Sequence, residues 1–145
     1  MLLFSCALEF AIKQRVIMNK FIIDATKENI FLMIISNKDI YSISYENTKT
    51  NYEKLTLLIK EFLDKKKLSL KNISQIYVNR GPGSFAGIRN SFSIVKAIHL
   101  AHKIDYYSFS FDDFNEKNEV KHENIPKLCE KFKVEKNLIN PIYLS

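Results

Sequence analysis

From Lys20 onward the chain alternates short apolar runs with polar turns. Phe21-Ile22-Ile23 leads into Asp24-Ala25-Thr26, Ile30 to Ile35 is continuously apolar, and Ile40 to Tyr45 alternates with period two. Three sequential strands in a meander are predicted, with Asn37-Lys38-Asp39 as turn chemistry between the second and third. The period then changes to that of a helix over residues 52–67, where Tyr52, Leu55, Leu58, Ile59, Phe62 and Leu63 share one face. A fourth strand is predicted over Ile73 to Asn79, a second helix over 88–103 and a fifth strand over Tyr106 to Phe109. Ser110-Phe111-Asp112-Asp113 then reads as a helix-opening cap. The order βββαβαβ implies parallel pairing of the strands that flank the helices. Beyond Phe114 the pattern weakens. Glu116 to Glu123 reads as a linker or an exposed helix, Pro126 to Lys136 as a short helix, and Asn140 to Leu144 as a closing strand.

Composition narrows the class. The chain has 145 residues, 46% hydrophobic and 26% charged, which fits one globular domain and neither a disordered tail nor a coiled coil. No apolar run approaches the roughly 20 residues that span a bilayer. The net charge is +6, yet 19 of the 22 basic residues are Lys, and Ile and Asn are also abundant. That mixture matches an A/T-rich coding bias, so the basic balance is weak support for a phosphate-binding face. Cys6 and Cys129 form no disulfide framework and no metal spacing, and a reducing, cytoplasmic location is expected. Met1 to Ile12 is apolar but lacks a basic start and a cleavage site. Residues 1–18 read as an N-terminal extension, either upstream of a mis-assigned start or a short extra element.

The chemistry is concentrated in ten residues, Arg80-Gly81-Pro82-Gly83-Ser84-Phe85-Ala86-Gly87-Ile88-Arg89. They hold all three glycines and two of the three arginines of the chain. Glycine tolerates positive φ and close backbone approach, so a tight strand-to-helix turn is expected, with something passing near its backbone. A Walker A loop is excluded by spacing and by the missing Lys, and Phe85 breaks an acetyl-CoA loop pattern. Gly81-x-Gly83-x-x-Ala86 matches a dinucleotide fingerprint only loosely. In the following helix Arg89, Lys96 and Lys103 stack into a narrow basic stripe, while Ile88, Phe92, Ile94, Val95, Ala97, Ile98, Leu100 and Ala101 cover nearly all the rest. Such a helix either lies buried within its own domain or packs on both its sheet and a partner helix. His99 and His102 lie three apart but lack further ligands, and read as a structural or surface pair. Asp24, ending the first strand, either forms a buried turn or binds a cation. No catalytic set and no metal site can be assembled.

Val78-Asn79-Arg80-Gly81-Pro82-Gly83-Ser84-Phe85-Ala86-Gly87-Ile88-Arg89 resembles the strand-loop-helix signature of the TsaB family (formerly YeaZ), which acts in bacterial tRNA threonylcarbamoyladenosine synthesis. Ile22-Ile23-Asp24-Ala25-Thr26, Lys96-Ala97, Ser108-Phe109-Ser110 with Phe111-Asp112-Asp113-Phe114, and Pro141-Ile142-Tyr143-Leu144 resemble further family segments. The resemblance covers about residues 19–114. It implies an α/β fold of the RNase H-like, actin-like (ASKHA) kind with the second lobe largely missing, residues 115–145 being its reduced remnant with a C-terminal strand.

The resemblance also implies a non-catalytic subunit, without a cofactor or metal, that pairs with and activates a TsaD-like catalytic subunit. Contact with a TsaE-like ATPase and an indirect relation to tRNA would follow, and a homodimer of the free protein stays open. The residues expected at the partner interface and its signature loop are Arg80, Gly81, Pro82, Gly83, Ser84, Phe85, Gly87, Ile88, Arg89, Phe92, Val95 and Lys96. The loop would set the angle of the helix, the apolar residues would form the interface core, and Arg89 would pair with an acid or a carbonyl. Two departures stand out: Ala86 replaces a usual Thr, and Ala25 follows Asp24 where Thr is common. The reading from a different class is a small nucleotide-binding enzyme that holds phosphate on Gly81–Gly87.

Overall fold

The computed structural model describes residues 18–37, 39–116 and 119–143. The expected extension over residues 1–18 lies outside the described residues except for Met18, as does Leu144 at the end of the expected closing strand.

Five strands form one sheet: β1 (Asn19–Asp24), β2 (Asn29–Ile35), β3 (Ile40–Glu46), β4 (Ile73–Asn79) and β5 (Asp105–Phe109), in the order β3-β2-β1-β4-β5. The meander β1-β2-β3 is antiparallel, and β4 and β5 add in parallel beside β1, as the βββαβαβ order requires. Each strand of the centre is apolar on both sides because each side is covered. Phe21 and Ile23 face one way, with Leu55, Phe62, Ile88 and Val95. Ile22 faces the other way, with Tyr77, Phe109, Ile125 and Cys129.

The first face carries α1 (Lys49–Glu53), α2 (Leu55–Lys65) and α3 (Phe85–His102). The single helix expected over residues 52–67 is two. Thr48 caps α1 by accepting the Asn51 N–H at 3.2 Å, and the backbone leaves helical geometry at Lys54. The end of α2 is set by Lys67 in the left-handed region (φ 56°), where the Leu68 N–H returns to the Leu63 carbonyl. Helix α3 begins three residues before the expected Ile88, because the Ser84 hydroxyl caps the Gly87 N–H at 3.2 Å.

The opposite face is covered by the C-terminal segment, whose regular part is α4 (Ile125–Lys131) with Pro126 in its first turn. The Ser110 cap opens only a 3₁₀ turn over Phe111–Asp113. In place of the closing strand the described residues show a single bridge, Gly83 to Tyr143, and an Ile142 N–H donated to the Arg80 carbonyl at 2.7 Å. Pro141 has no N–H with which to extend a ladder.

Candidate functional site

The carboxyl ends of β1, β4 and β5 meet at one edge of the sheet, the position where open α/β sheets place their sites. Asp24 ends β1 there and is buried. Its Oδ1 accepts the Thr26 N–H at 3.1 Å and the Thr26 hydroxyl at 2.7 Å, which closes a turn. Its Oδ2 accepts from Asn79 Nδ2 at 3.0 Å, at the end of β4, and lies 2.8 Å from His122 Nε2. Burial acts to raise the Asp24 pKa, but the bonds from His122, Thr26 and Asn79 outweigh it and hold the carboxyl below its ordinary value. The His122 ring packs between Phe31, at 4.3 Å between centroids, and Phe111, at 5.3 Å. Beside this hub opens a cleft of about 930 Å³, walled by Phe31, Phe111, Lys27 and Glu116 among others. Asp24 is therefore the buried turn-former, joined to three separate elements. Among the described residues no group of three or more His, Cys, Asp and Glu converges to hold a metal.

The glycine loop follows directly. Asn79 turns its Oδ1 to accept the Gly81 N–H at 2.9 Å, and Gly81 adopts φ 108°, with a cis Gly81-Pro82 peptide after it. What passes close to this backbone is the chain itself. A Cβ on Gly83 would strike the Thr26 carbonyl oxygen and one on Gly87 the Ala25 carbonyl oxygen, both inside 3.0 Å. A Cβ on Gly81 would strike the Ile142 carbonyl oxygen in the same way. The Ser84 N–H donates to the Thr26 carbonyl at 2.9 Å, and the Ser84 hydroxyl shares a hydrogen bond with Tyr52 at 2.7 Å. The amides of Gly81, Ser84 and Gly87 are thus engaged within the protein, which argues against an open phosphate cradle. The loop docks α3 on the β1 turn and sets the angle at which the helix leaves the sheet.

Several expected interface residues lie elsewhere. Ile88, Phe92 and Val95, expected in the interface core, are buried against the sheet of this same chain. They recur at helical spacing with Ser91 and Ile98, and that stripe is the one the sheet takes. Arg80 also turns inward: its guanidinium makes a two-pronged pair with Asp113, Nη2 to Oδ1 at 2.6 Å and Nε to Oδ2 at 3.3 Å. Its Nη1 donates to the Asn140 carbonyl at 3.2 Å, fastening the C-terminal segment.

On the outer face of α3 stand Phe85 (54% exposed), Arg89, Lys96 and Leu100 (69% exposed). The side chains of Arg89 and Lys96 make no hydrogen bond or ion pair among the described residues. Phe85 rests against the Tyr143 ring at 4.7 Å. Between α2 and α3 runs an apolar groove of about 490 Å³, walled by Ile59, Leu63, Leu68, Leu70, Ile94 and Ile98. His99 is a structural residue, with Nδ1 2.9 Å from the Ile104 carbonyl. Sequence reasoning did not single out His122, Asn79 or Asn140. Asn79 carried a signal, a polar residue ending an apolar strand just before glycine, whereas His122 meets its partner across 98 positions and carried none.

Fold and site together define an RNase H-like, actin-like α/β lobe. The family described as "TsaD: tRNA N6-adenosine threonylcarbamoyltransferase" matches residues 45–110. A protein named tRNA threonylcarbamoyladenosine biosynthesis protein TsaB, from Buchnera aphidicola subsp. Schizaphis graminum (strain Sg), is 32% identical over 88 residues. That match spans 61% of this chain and 42% of the relative. The protein of the same name from Buchnera aphidicola subsp. Acyrthosiphon pisum (strain APS) is 31% identical over 77 residues, 53% of this chain and 35% of its own. The solved structure of YeaZ from Pseudomonas aeruginosa shares the fold, with a TM-score of 0.59 at 20% identity over 63% of this chain and 43% of that one. The TsaB resemblance carried by residues 78–89 is borne out by these relatives, and this chain spans less than half the length of each.

Proposed function

We propose that this chain is the TsaB-type component of tRNA threonylcarbamoyladenosine synthesis, a non-catalytic subunit that pairs with a TsaD-like catalytic subunit and holds it in its active geometry. The supporting observation is the outer face of α3, where Phe85 and Leu100 stand exposed beside Arg89 and Lys96, whose side chains make no hydrogen bond or ion pair among the described residues. A helix anchored by a rigid glycine loop, with its inner face committed to the core, presents those side chains as a fixed surface. On this reading residues 19–114 form the pairing lobe, and residues 115–145 stand where the second lobe of fuller relatives would begin. The subunit works in the cytoplasm, needs no cofactor of its own and meets tRNA through the complex. Contact with a TsaE-like ATPase would be made on other surfaces.

The test is co-expression with the TsaD-like subunit of the same genome, followed by size-exclusion chromatography with light scattering. A 1:1 species is expected, lost in Leu100→Asp. Separate elution of the two native chains would sink the proposal.

A further inference from the structure

The groove between α2 and α3 is apolar and uncovered among the described residues. Ile59 and Leu63 wall it on α2, Leu68 and Leu70 just beyond that helix, and Ile94 and Ile98 on α3. Ile94 stays partly exposed and the neighbouring Ala97 exposed, although both are apolar. An apolar surface of this kind marks a place where something packs. Phe85 and Leu100, on the outer face of α3, do not line it.

Strand β1 begins beside one end of this groove. Asn19 pairs with Ile73, its Nδ2 donates to the Asn72 carbonyl at 2.9 Å, and its carbonyl accepts the Ser74 hydroxyl at 2.9 Å. Asn72 closes the same 3₁₀ turn that supplies Leu70 to the groove wall. The sequence ahead of this point carries an amphipathic pattern. At helical spacing Leu3, Phe4, Ala7, Leu8, Phe10 and Ala11 share one broad face, with Ser5, Glu9 and Lys13 on the other. Residues 13–18 reach about 20 Å when extended, enough to carry that face back over the groove. Residues 3–11 at helical rise measure about 14 Å, close to the roughly 16 Å of α2 with its 11 residues.

We propose that residues 3–11 of this same chain occupy the groove, seating Leu3, Phe4 and Phe10 between α2 and α3 and turning Glu9 to solvent. Ala7 and Ala11 permit close approach to α3, where Ala97 is also small. The other cavity near the start of β1, on the opposite side of the sheet, holds Met18 together with Lys20, Glu130 and Lys133. Covering those charges with an apolar face would cost their hydration, so the groove is the better match. Docked in this way, the segment withholds the groove from other proteins. The outer face of α3 takes no part, so this docking and the partnership with a TsaD-like subunit use separate residues and fail separately.

The experiment is hydrogen–deuterium exchange, read by mass spectrometry on the full chain at low and at high protein concentration. In Phe4→Asp/Phe10→Asp, peptides covering residues 56–71 and 94–102 should exchange about tenfold faster than in the native chain. Native protection there should be the same at both concentrations, as an occupant from the same chain requires. Ser5→Asp, on the polar side of the segment, should exchange like the native chain, and Phe4→Leu/Phe10→Leu should keep most of the protection. Far-UV circular dichroism confirms that each variant is folded. Equal exchange in the native chain and Phe4→Asp/Phe10→Asp would overturn the proposal, as would an equal loss in Ser5→Asp. Protection that grows with concentration would give the groove to a second copy. Protection lost around Met18 and residues 126–134 instead would place the segment in the other cavity. Either of these results overturns the proposal as well.

Discussion

Asp24 keeps its charge where burial alone would remove it, because four donors from three parts of the chain converge on two oxygens. Its folded pKa lies below its unfolded one, so its contribution to stability is fully present above the ordinary value of 3.8 and is lost as pH falls through the folded value. Native protein should therefore lose stability on acidification below that point. Asp24→Asn should be less stable at pH 7 by about 1.5–3 kcal/mol, since bonds to a charged acceptor are lost, and should fall less steeply in acid. Chemical denaturation at pH 7, 5 and 3 measures both, and parallel slopes for the two proteins would refute the assignment. Gly87 sets two residue-scale effects against each other. Alanine raises helix propensity by about 1 kcal/mol, but its Cβ would meet the Ala25 carbonyl oxygen, backbone that cannot swing aside. The clash should win, with Gly87→Ala losing about 1–3 kcal/mol in a thermal melt. Close backbone approach was legible in the clustering of the three glycines. That the approaching backbone is the Ala25–Thr26 turn was not, because the two segments lie some sixty positions apart in sequence.

At the scale of elements, strand existence and type followed closely from periodicity: β4 occupies the predicted Ile73 to Asn79, and β3 is the predicted alternating run extended by Glu46. Helix boundaries shifted where a hydroxyl decided them, Thr48 for α1 and Ser84 for α3. Helix α3 shows why function was harder to read than fold. Its apolar residues nearly encircle it, so sequence alone could not tell which stripe the sheet would take. The structure separates them, Phe92 inward and Leu100 outward, and this divides the expected outcomes of one substitution type. Phe92→Asp places a charge in the core and should destabilise by about 4 kcal/mol or more, enough to unfold a marginal domain. Leu100→Asp should stay within about 0.5 kcal/mol of native stability while abolishing partner binding. Urea titration of each isolated variant, beside the co-elution experiment, separates the two roles. A folded Phe92→Asp that fails to bind would return Phe92 to the interface.

For the whole molecule, the C-terminal segment is where sequence patterning said least and tertiary structure does most. The C-terminal segment reads in sequence as linker, short helix and strand, yet its described residues 119–143 pack on the side of the sheet opposite the helices. Ile125 and Cys129 are buried on it beside Ile22, Tyr77 and Phe109, and the Cys129 thiol is pushed up to about 12, chiefly by burial. Three polar fasteners accompany the apolar contact: His122 to Asp24, Asn140 to Arg80, and Asn137 to Tyr106 and Asp105. Each joins residues at least thirty positions apart, so no local pattern announces them. A segment bound by core burial and by long-range hydrogen bonds belongs to the same cooperative unit as the sheet. Ile125→Ala removes buried methyl groups from that face and should lower the stability of the whole chain by about 2–4 kcal/mol, not loosen the segment alone. Tyrosine fluorescence, to which Tyr77 and Tyr107 beneath the segment contribute among the seven tyrosines of the chain, and far-UV circular dichroism, which reports the sheet and α3, should then give coincident denaturation curves. If the fluorescence transition came first and separately, the segment would be an independent lobe resting on a sheet that folds without it.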